Sequence, residues 1–433
     1  MHPKLHLSPP KNWCNDPVGF IYYQGHYHLF YQYFPYDCVW GTMHWRHVIS
    51  DDLIHWQDLG IALYPSKDYD KNGCFSGSSI EINQQLYIYY TSIQYTKIHP
   101  DNIHITASGQ EFLASQSMIT SADGFHFDNI HNKKMIISVF KEKGLGHPTH
   151  TRDPKVWQYQ DTYYMVLGSR YLDENQYYQG QLLFYTSYDG IEWHYKNCFQ
   201  DMKLGDMWEC PDIFEVNQQQ CLIMSPERTE SHGYPSHARI ATCLFNHNDC
   251  QMKITSELRY LDYGRDLYAP QTTLDKDGNR IYIGWMRMPV KVDNWRGLFI
   301  FPRIIEYQDN HIYTRLHPKI KQLFQQKVNT FDYQVPTHVH VQLHQKEMIN
   351  IGGYKIKYDK CLIADRSQVF IQTNEDIDLV TQTPNISHCD LDIYIDQNII
   401  EIYINDGYYV LSHIIYHLDN YIQCSLPYTI KTL

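Results

Sequence analysis

Five short runs rich in Tyr and other strand-forming residues recur along the chain at nearly even spacing, and this recurrence limits the possible folds more than any other feature. They are Y-H-L-F-Y-Q from Tyr27, Y-I-Y-Y-T from Tyr87, Y-Y-M-V-L from Tyr163, L-I-M-S from Leu222 and Y-I-G-W from Tyr282. The second interval is somewhat longer than the other three, which nearly match. Runs of this composition, bounded by turn residues, read as strands. A β unit repeating at that length reads as a propeller blade enlarged by loops.

A second repeat supports the first. S-D-D-L-I-H-W (50–56), S-A-D-G-F-H-F (121–127) and S-Y-D-G-I-E-W (187–193) follow one another at a similar period, and a degenerate copy lies near Asn246–Asp249. Each is expected to turn a hairpin between the outer strands of a blade, with its final aromatic packed inward. Five blades are therefore expected over about residues 10–310.

Beyond Pro302 the pattern changes. H-P-K-I-K-Q-L-F-Q-Q (317–326) reads as a short helix or linker. Alternating strands follow, among them L-D-I-Y-I-D (391–396) and I-I-E-I-Y-I (399–404) joined at D-Q-N. N-D-G (405–407) then turns a hairpin into Y-Y-V-L-S. The expected fold class is all-β: a five-bladed β-propeller over residues 1–315, a linker over 316–330 and a β-sandwich over 331–433. No low-complexity segment separates the two parts, so rigid packing between them is expected.

In a propeller the first strand of each blade lines the central channel. The segments ten to thirteen residues before the five runs carry N-D-P (15–17), F-S-G-S (75–78), R-D-P (152–154), W-E-C-P-D (208–212) and Y-A-P-Q (268–271). N-D-P followed by Gly19 would alone be read as a turn. Together, the five segments bring Asp16, Asp153 and Glu209 toward one axis. Buried carboxylates without partners are costly, so such a cluster points to chemistry. Two carboxylates facing one pocket suit glycoside hydrolysis, one protonating the leaving oxygen while the other attacks or activates water. An ionised neighbour helps the acid keep its proton. Trp13, Trp40, Phe75, Trp208 and Trp285 are expected to wall the site. A calcium site is the rival reading, but Ca²⁺ loops space their ligands closely in sequence.

Composition narrows the partners. With 433 residues, 43% of them hydrophobic, the chain has material for sizeable cores. Its 38 Tyr suit both strands and polar-lined clefts. A net charge of −12 without basic runs argues against nucleic acid or an anionic membrane as partner. The start lacks an apolar signal-peptide core, and no apolar run approaches the roughly 20 residues of a membrane span. Eleven Cys without a C-x-x-C pair are expected to be reduced thiols, so the expected location is cytoplasmic. Among the 25 His, H-V-H (338–340) and the H-x-x-H pairs His44/His47 and His147/His150 lack companion ligands at zinc spacing, so no metal is expected.

W-C-N-D-P-V-G-F-I, G-H-Y-H-L-F-Y-Q-Y, W-G-T-M-H-W, F-S-G-S, R-D-P-K-V-W, W-E-C-P-D, Y-A-P-Q and G-W-M follow one another in the order seen in glycoside hydrolase family 32. The C-terminal I-E-I-Y-I-N-D-G-Y-Y-V-L-S resembles that family's β-sandwich. The resemblance covers almost the whole chain. It implies a retaining β-fructofuranosidase acting on a small-molecule fructoside such as sucrose-6-phosphate or sucrose, without a cofactor. Asp16 matches the nucleophile, Glu209 the acid/base, and Asp153 the residue that holds ring hydroxyls and stabilises the transition state, with Arg152 beside it. Asn15, Gln32, Trp40, Phe75, Ser76, Tyr268 and Trp285 match positions lining the fructose pocket. Cys210 matches a cysteine that tunes the acid/base, although a small core filler is an equal reading.

Several residues depart from the family pattern. Cys14 and Val18 stand where Met and Asn are common, and P-R-I-I only loosely follows a late P-R-E-L segment. Arg46 stands where relatives usually have Gly; it is read either as a contact for a substrate phosphate or, more simply, as a structural ion pair. A homodimer through the sandwich remains open. The rival functions are a catalytically idle, fructoside-binding sensor, an exo-fructosidase preferring fructo-oligosaccharides, and an inverting furanosidase on a similar propeller. The three intact carboxylates argue against the sensor.

Overall fold

The computed structural model describes residues 1–141, 144–200 and 204–433. Each Tyr-rich run forms the second strand of an antiparallel sheet, and the segment before it forms the first. The first strands are Asn12–Tyr23, Cys74–Ile82, Thr151–Tyr159, Met207–Val216 and Leu267–Leu274. Each touches the next around a ring, so the five sheets are blades about one axis. The ring is closed by Trp295–Arg296, which pairs in parallel with Asn12 and Trp13.

The outer hairpins follow one hydrogen-bond scheme. Ser50, Ser121 and Ser187 accept with Oγ from the amides of Leu53, Gly124 and Gly190 at 2.9, 3.0 and 2.9 Å. Asp52, Asp123 and Asp189 each accept from the amides two and three residues on. These are Asx turns, a local reason for the repeated S-x-D spelling. Trp56, Phe127 and Trp193 then pack back against the blade cores.

Every first strand also breaks its pairing register at the same place. The shifts fall between Cys14 and Pro17, Phe75 and Gly77, Arg152 and Lys155, Glu209 and Asp212, and Tyr268 and Gln271. Such bulges re-aim side chains that strict alternation would send to one face. Pro17, Pro154, Pro211 and Pro270 stand at four of them, where a missing N–H costs no ladder bond. Asp153, Cys210 and Ala269 adopt φ of 66°, 48° and 47°. Non-glycine residues seldom occupy that region.

The fifth blade ends with His311–Leu316, and Pro318–Lys321 forms a single helical turn capped by His317. In the stretch expected as linker, Gln326–Val328 is an edge strand paired with Tyr428–Thr432. That edge belongs to a six-stranded sheet, which faces a five-stranded one across an apolar core containing Val339, Ile356, Leu362, Ile393 and Ile402.

The two parts pack through buried groups. Ile399 and Ile414 of the six-stranded sheet join a cluster with Tyr282, Trp295 and Leu298 of the propeller. Fully buried Arg303 reaches Asp262 at 2.8 Å, Glu401 at 2.7 Å and Ser412 at 2.6 Å. His6 bridges Asp396 and Glu401 at 3.0 and 2.8 Å. Buried contacts of this kind tie the two parts together.

Candidate active site

The five bulges surround one end of the channel, where a cavity of about 320 Å³ opens. That size suits a small-molecule ligand. Asp16 stands at the bulge of blade one. Its Oδ2 accepts from Ser76 Oγ at 2.6 Å and its Oδ1 from Asn15 Nδ2 at 3.1 Å. Asn15 is itself held by Trp13 Nε1 at 2.9 Å. Burial pushes the Asp16 carboxyl above its ordinary range and the Glu209 charge adds to the rise, while the Ser76 and Asn15 bonds oppose it.

Glu209, on blade four, faces the same cavity. Its Oε1 accepts from Arg152 Nε at 2.8 Å, and its Oε2 from the Tyr268 hydroxyl. Blades three and five thus hold a carboxylate carried by blade four. Asp153 lies between, its Oδ2 accepting from the Cys210 amide at 2.9 Å. Burial pushes its carboxyl up to about 7 against the Arg152 charge, with Glu209 and Asp16 adding to the rise. The Cys210 thiol sits 3.6 Å from Asp153 Oδ2 and 3.8 Å from Asp16 Oδ2, and burial raises its pKa so that it stays a thiol.

The remaining sequence-predicted pocket residues line this cavity too. Gln32 is anchored by its amide to Cys74 O at 3.0 Å. Trp40 is 40% exposed at the mouth and stands edge-on to Phe75 at 5.6 Å. Trp285 packs edge-on to Trp13 at 5.7 Å. Trp208 does not join them. Its ring is fully buried between blades three and four, against Gly180, where an added Cβ would come within 2.3 Å of it, and its Nε1 donates to Leu204 O at 2.6 Å. The first-strand rule placed its backbone correctly, but strand alternation turns its side chain away from neighbouring Glu209.

A cavity of about 400 Å³ at the other end of the channel is a different environment. There Lys155 pairs with Asp212 at 2.9 Å, an ion pair rather than two facing carboxylates.

Comparison with known proteins bears on this site. The profile "Glycosyl hydrolases family 32 N-terminal domain" matches residues 6–318, and "Glycosyl hydrolases family 32 C terminal" matches residues 338–430. The chain belongs to glycosyl hydrolase family 32. It is similar to a sucrose-6-phosphate hydrolase of Zymomonas mobilis, 32% identical over 449 residues covering 94% of this chain and 84% of the relative. A sucrose-6-phosphate hydrolase of Escherichia coli is 35% identical over 337 residues, 75% of this chain and 66% of the relative. A Bombyx mori family 32 β-fructofuranosidase superposes with a TM-score of 0.83 at 28% identity, covering 99% of this chain and 92% of that one.

This family 32 glycosidase carries pocket residues that the sequence pattern missed. Glu227 ends the second strand of blade four, outside the reach of a first-strand rule. Its Oε1 accepts from Arg152 Nη2 at 2.8 Å and its Oε2 pairs with Arg228 at 3.0 Å. Burial and the Glu209 charge push its carboxyl up to about 7, against Arg152 and Arg228. His150, noted in the sequence only as half of an H-x-x-H pair, also lines the cavity, its Nε2 donating to Gln110 Oε1 at 2.7 Å.

The departures from the family pattern fall away from the cavity. Cys14 and Val18 are fully buried in blade cores, and Arg303 of P-R-I-I belongs to the interface with the sandwich. Arg46 lies outside the pocket lining and grips Asp58 from Nε and Nη2 at 3.0 and 2.6 Å, over the Tyr33 ring. Of the two readings kept for Arg46, the structural ion pair is the one these contacts form. The histidine pairs make local bonds: His44 to Thr42 O at 2.9 Å, His47 to His28 at 3.0 Å and His338 to Asp392 at 2.6 Å. Among the described residues no group of three or more His, Cys, Asp or Glu is arranged to hold a metal, and no helix is long and apolar enough to cross a membrane.

Proposed function

We propose that this glycosidase releases fructose from sucrose-6-phosphate, and from sucrose, by double displacement with net retention. The observation that carries the proposal is the approach of Asp16 and Glu209 to one cavity, each oriented by donors from other blades. In the first step an Asp16 oxygen bonds to C2 of the fructosyl unit as the C2–O bond to the glucosyl group breaks. Glu209 gives its proton to that leaving oxygen. In the second step Glu209 takes a proton from water, the water oxygen bonds to C2, and the bond to Asp16 breaks. Asp153 accepts from ring hydroxyls, and the positive charge that develops on the sugar favours its ionised form. Arg152 and Tyr268 hold the Glu209 rotamer, and the Trp13–Trp285 wall excludes water. Eleven cysteines, all free, support a reducing cytoplasmic location.

The test is release of glucose or glucose-6-phosphate from sucrose, sucrose-6-phosphate and a short inulin, with Asp16→Asn as control. Fructose release that vanishes in the variant supports the mechanism. No turnover of any of the three, with fructose still bound, would turn the assignment to a binding propeller.

A further inference from the structure

Beside the pocket, blade three presents an arginine whose charge meets no carboxylate among the described residues. Arg170 stands near the end of Thr162–Leu172 and is only 9% exposed. Three other deeply buried guanidinium groups meet carboxylates: Arg152 pairs with Glu209 and Glu227, Arg303 with Asp262 and Glu401, and Arg366 with Asp266; Arg287 is held instead by the carbonyls of Asp266, Ser236 and Arg265. Among the described residues no carboxylate pairs with Arg170, and its Nε has no hydrogen-bond partner. Asp206, whose charge it feels, is gripped by Arg228 instead, at 2.8 Å. The Arg170 guanidinium lies on the Tyr178 ring, 3.8 Å from the centroid. That contact fixes the fork in place.

A histidine stands against this fork. Arg170 Nη2 lies 3.2 Å from His147 Nε2. His147 Nδ1 accepts from the amides of Thr149 and His150, both at 3.1 Å. Burial and the Arg170 charge push the His147 pKa down to about 4, which keeps the ring neutral. The Arg170 Nη2–H points at His147 Nε2 across 3.2 Å, while Arg170 Nε–H has no acceptor. Buried donors of this kind call for an anionic oxygen.

Neither residue lines the cavity itself, but the pair stands next to its wall. The His147 ring is 5.2 Å from that of His150, which lines the cavity. Arg228, also on the pocket wall, and Arg152 are close enough to lower the Arg170 pKa, although burial lowers it most. The basic groups thus lie on the side of the cavity formed by blades three and four, the side that Glu209 shares with the leaving group.

We propose that Arg170 and His147 form an anion subsite that receives the phosphate of a phosphorylated leaving hexose. The inference rests on the fructosidase reading above and replaces Arg46 as the phosphate-reading residue. A planar fork held on an aromatic ring suits two phosphate oxygens, with His147 set against one arm of the fork.

The experiment compares kcat/KM for sucrose-6-phosphate and sucrose in the wild type, Arg170→Gln, Arg170→Lys and His147→Phe. Sucrose turnover is also inhibited with glucose-6-phosphate and with inorganic phosphate. The expected result is a fall of about tenfold to a hundredfold in the sucrose-6-phosphate to sucrose ratio for Arg170→Gln, with partial recovery in Arg170→Lys. A purely structural role lowers both substrates in step and leaves the ratio where it was; an unchanged ratio overturns the inference while the fructosidase reading stands. Inorganic phosphate inhibiting as well as glucose-6-phosphate overturns the assignment to the leaving hexose. A wild type that cleaves both sugars equally removes the phosphorylated substrate and this subsite with it, and one that cleaves neither removes the fructosidase reading itself.

Discussion

Ser76 donates its hydroxyl to Asp16 Oδ2 at 2.6 Å, so the second blade fixes the carboxylate carried by the first. Ser76→Ala leaves the Asn15 bond alone to orient Asp16. Loss of one hydrogen bond to a charged group is worth about tenfold or more in kcat/KM. Steady-state kinetics check this against a thermal melt, which should stay near wild type because Ser76 closes no core contact. Unaltered kinetics would mean that Asp16 is held well enough by blade one.

The division of labour between Asp16 and Glu209 predicts two different kinetic signatures. Asp16→Asn abolishes turnover of every substrate with folding intact. Glu209→Gln spares substrates whose leaving group needs no proton, so its loss on an activated aryl fructoside is smaller than its loss on sucrose, by about a hundredfold. Equal loss on both would contradict an acid role for Glu209.

The pocket carboxylates make stability depend on pH in a definite direction. Asp153 and Glu227 have carboxyls pushed up to about 7 in the folded chain. The native state therefore keeps these protons after the unfolded chain has lost them. Their contribution is fully present below the ordinary carboxylate range and is lost as pH rises from about 4 through about 7. Asp153→Asn removes that loss. Its melting temperature relative to wild type should rise between pH 5 and pH 8, as read by parallel melts. A difference that shrinks with rising pH would contradict the direction.

Arg303 joins the propeller to the sandwich through Asp262 and Glu401, all three fully buried in their side chains. Arg303→Ala leaves two buried carboxylates without their cation, a loss of about 3–5 kcal/mol. Chemical denaturation should show one transition moved to lower denaturant. Wild-type stability in the variant would mean that His6, which also bonds Glu401, carries the interface by itself.

Much of this architecture is legible in the chain because propeller blades repeat. The Tyr-rich runs and the S-x-D turns are local patterns, and local patterns survive without knowledge of distant contacts. The first-strand rule likewise located Asp16, Ser76, Asp153, Glu209 and Tyr268, since each sits within two residues of a Pro or Gly that marks a bulge. It failed for the Trp208 ring, which strand alternation turns away from the pocket into space left by Gly180 of another blade. It also missed Glu227, which enters the pocket from a second strand and is recognised only by its contact with Arg152.

The sequence by itself determined the strand order, the five repeats, the β-sandwich that follows them and the identity of the carboxylates at the bulges. Those properties depend on residue type at short range, where turn chemistry and strand preference act. Only the tertiary structure decided which charges are compensated. Arg46 meets Asp58 across two strands, Arg303 meets Asp262 and Glu401 across two domains, and Arg170 meets no carboxylate among the described residues. The sequence spells these arginines alike. Their partners can lie far away along the chain, as Glu401 does from Arg303. The electrostatic energy of a buried charge is set by distance in space, which only the folded chain fixes.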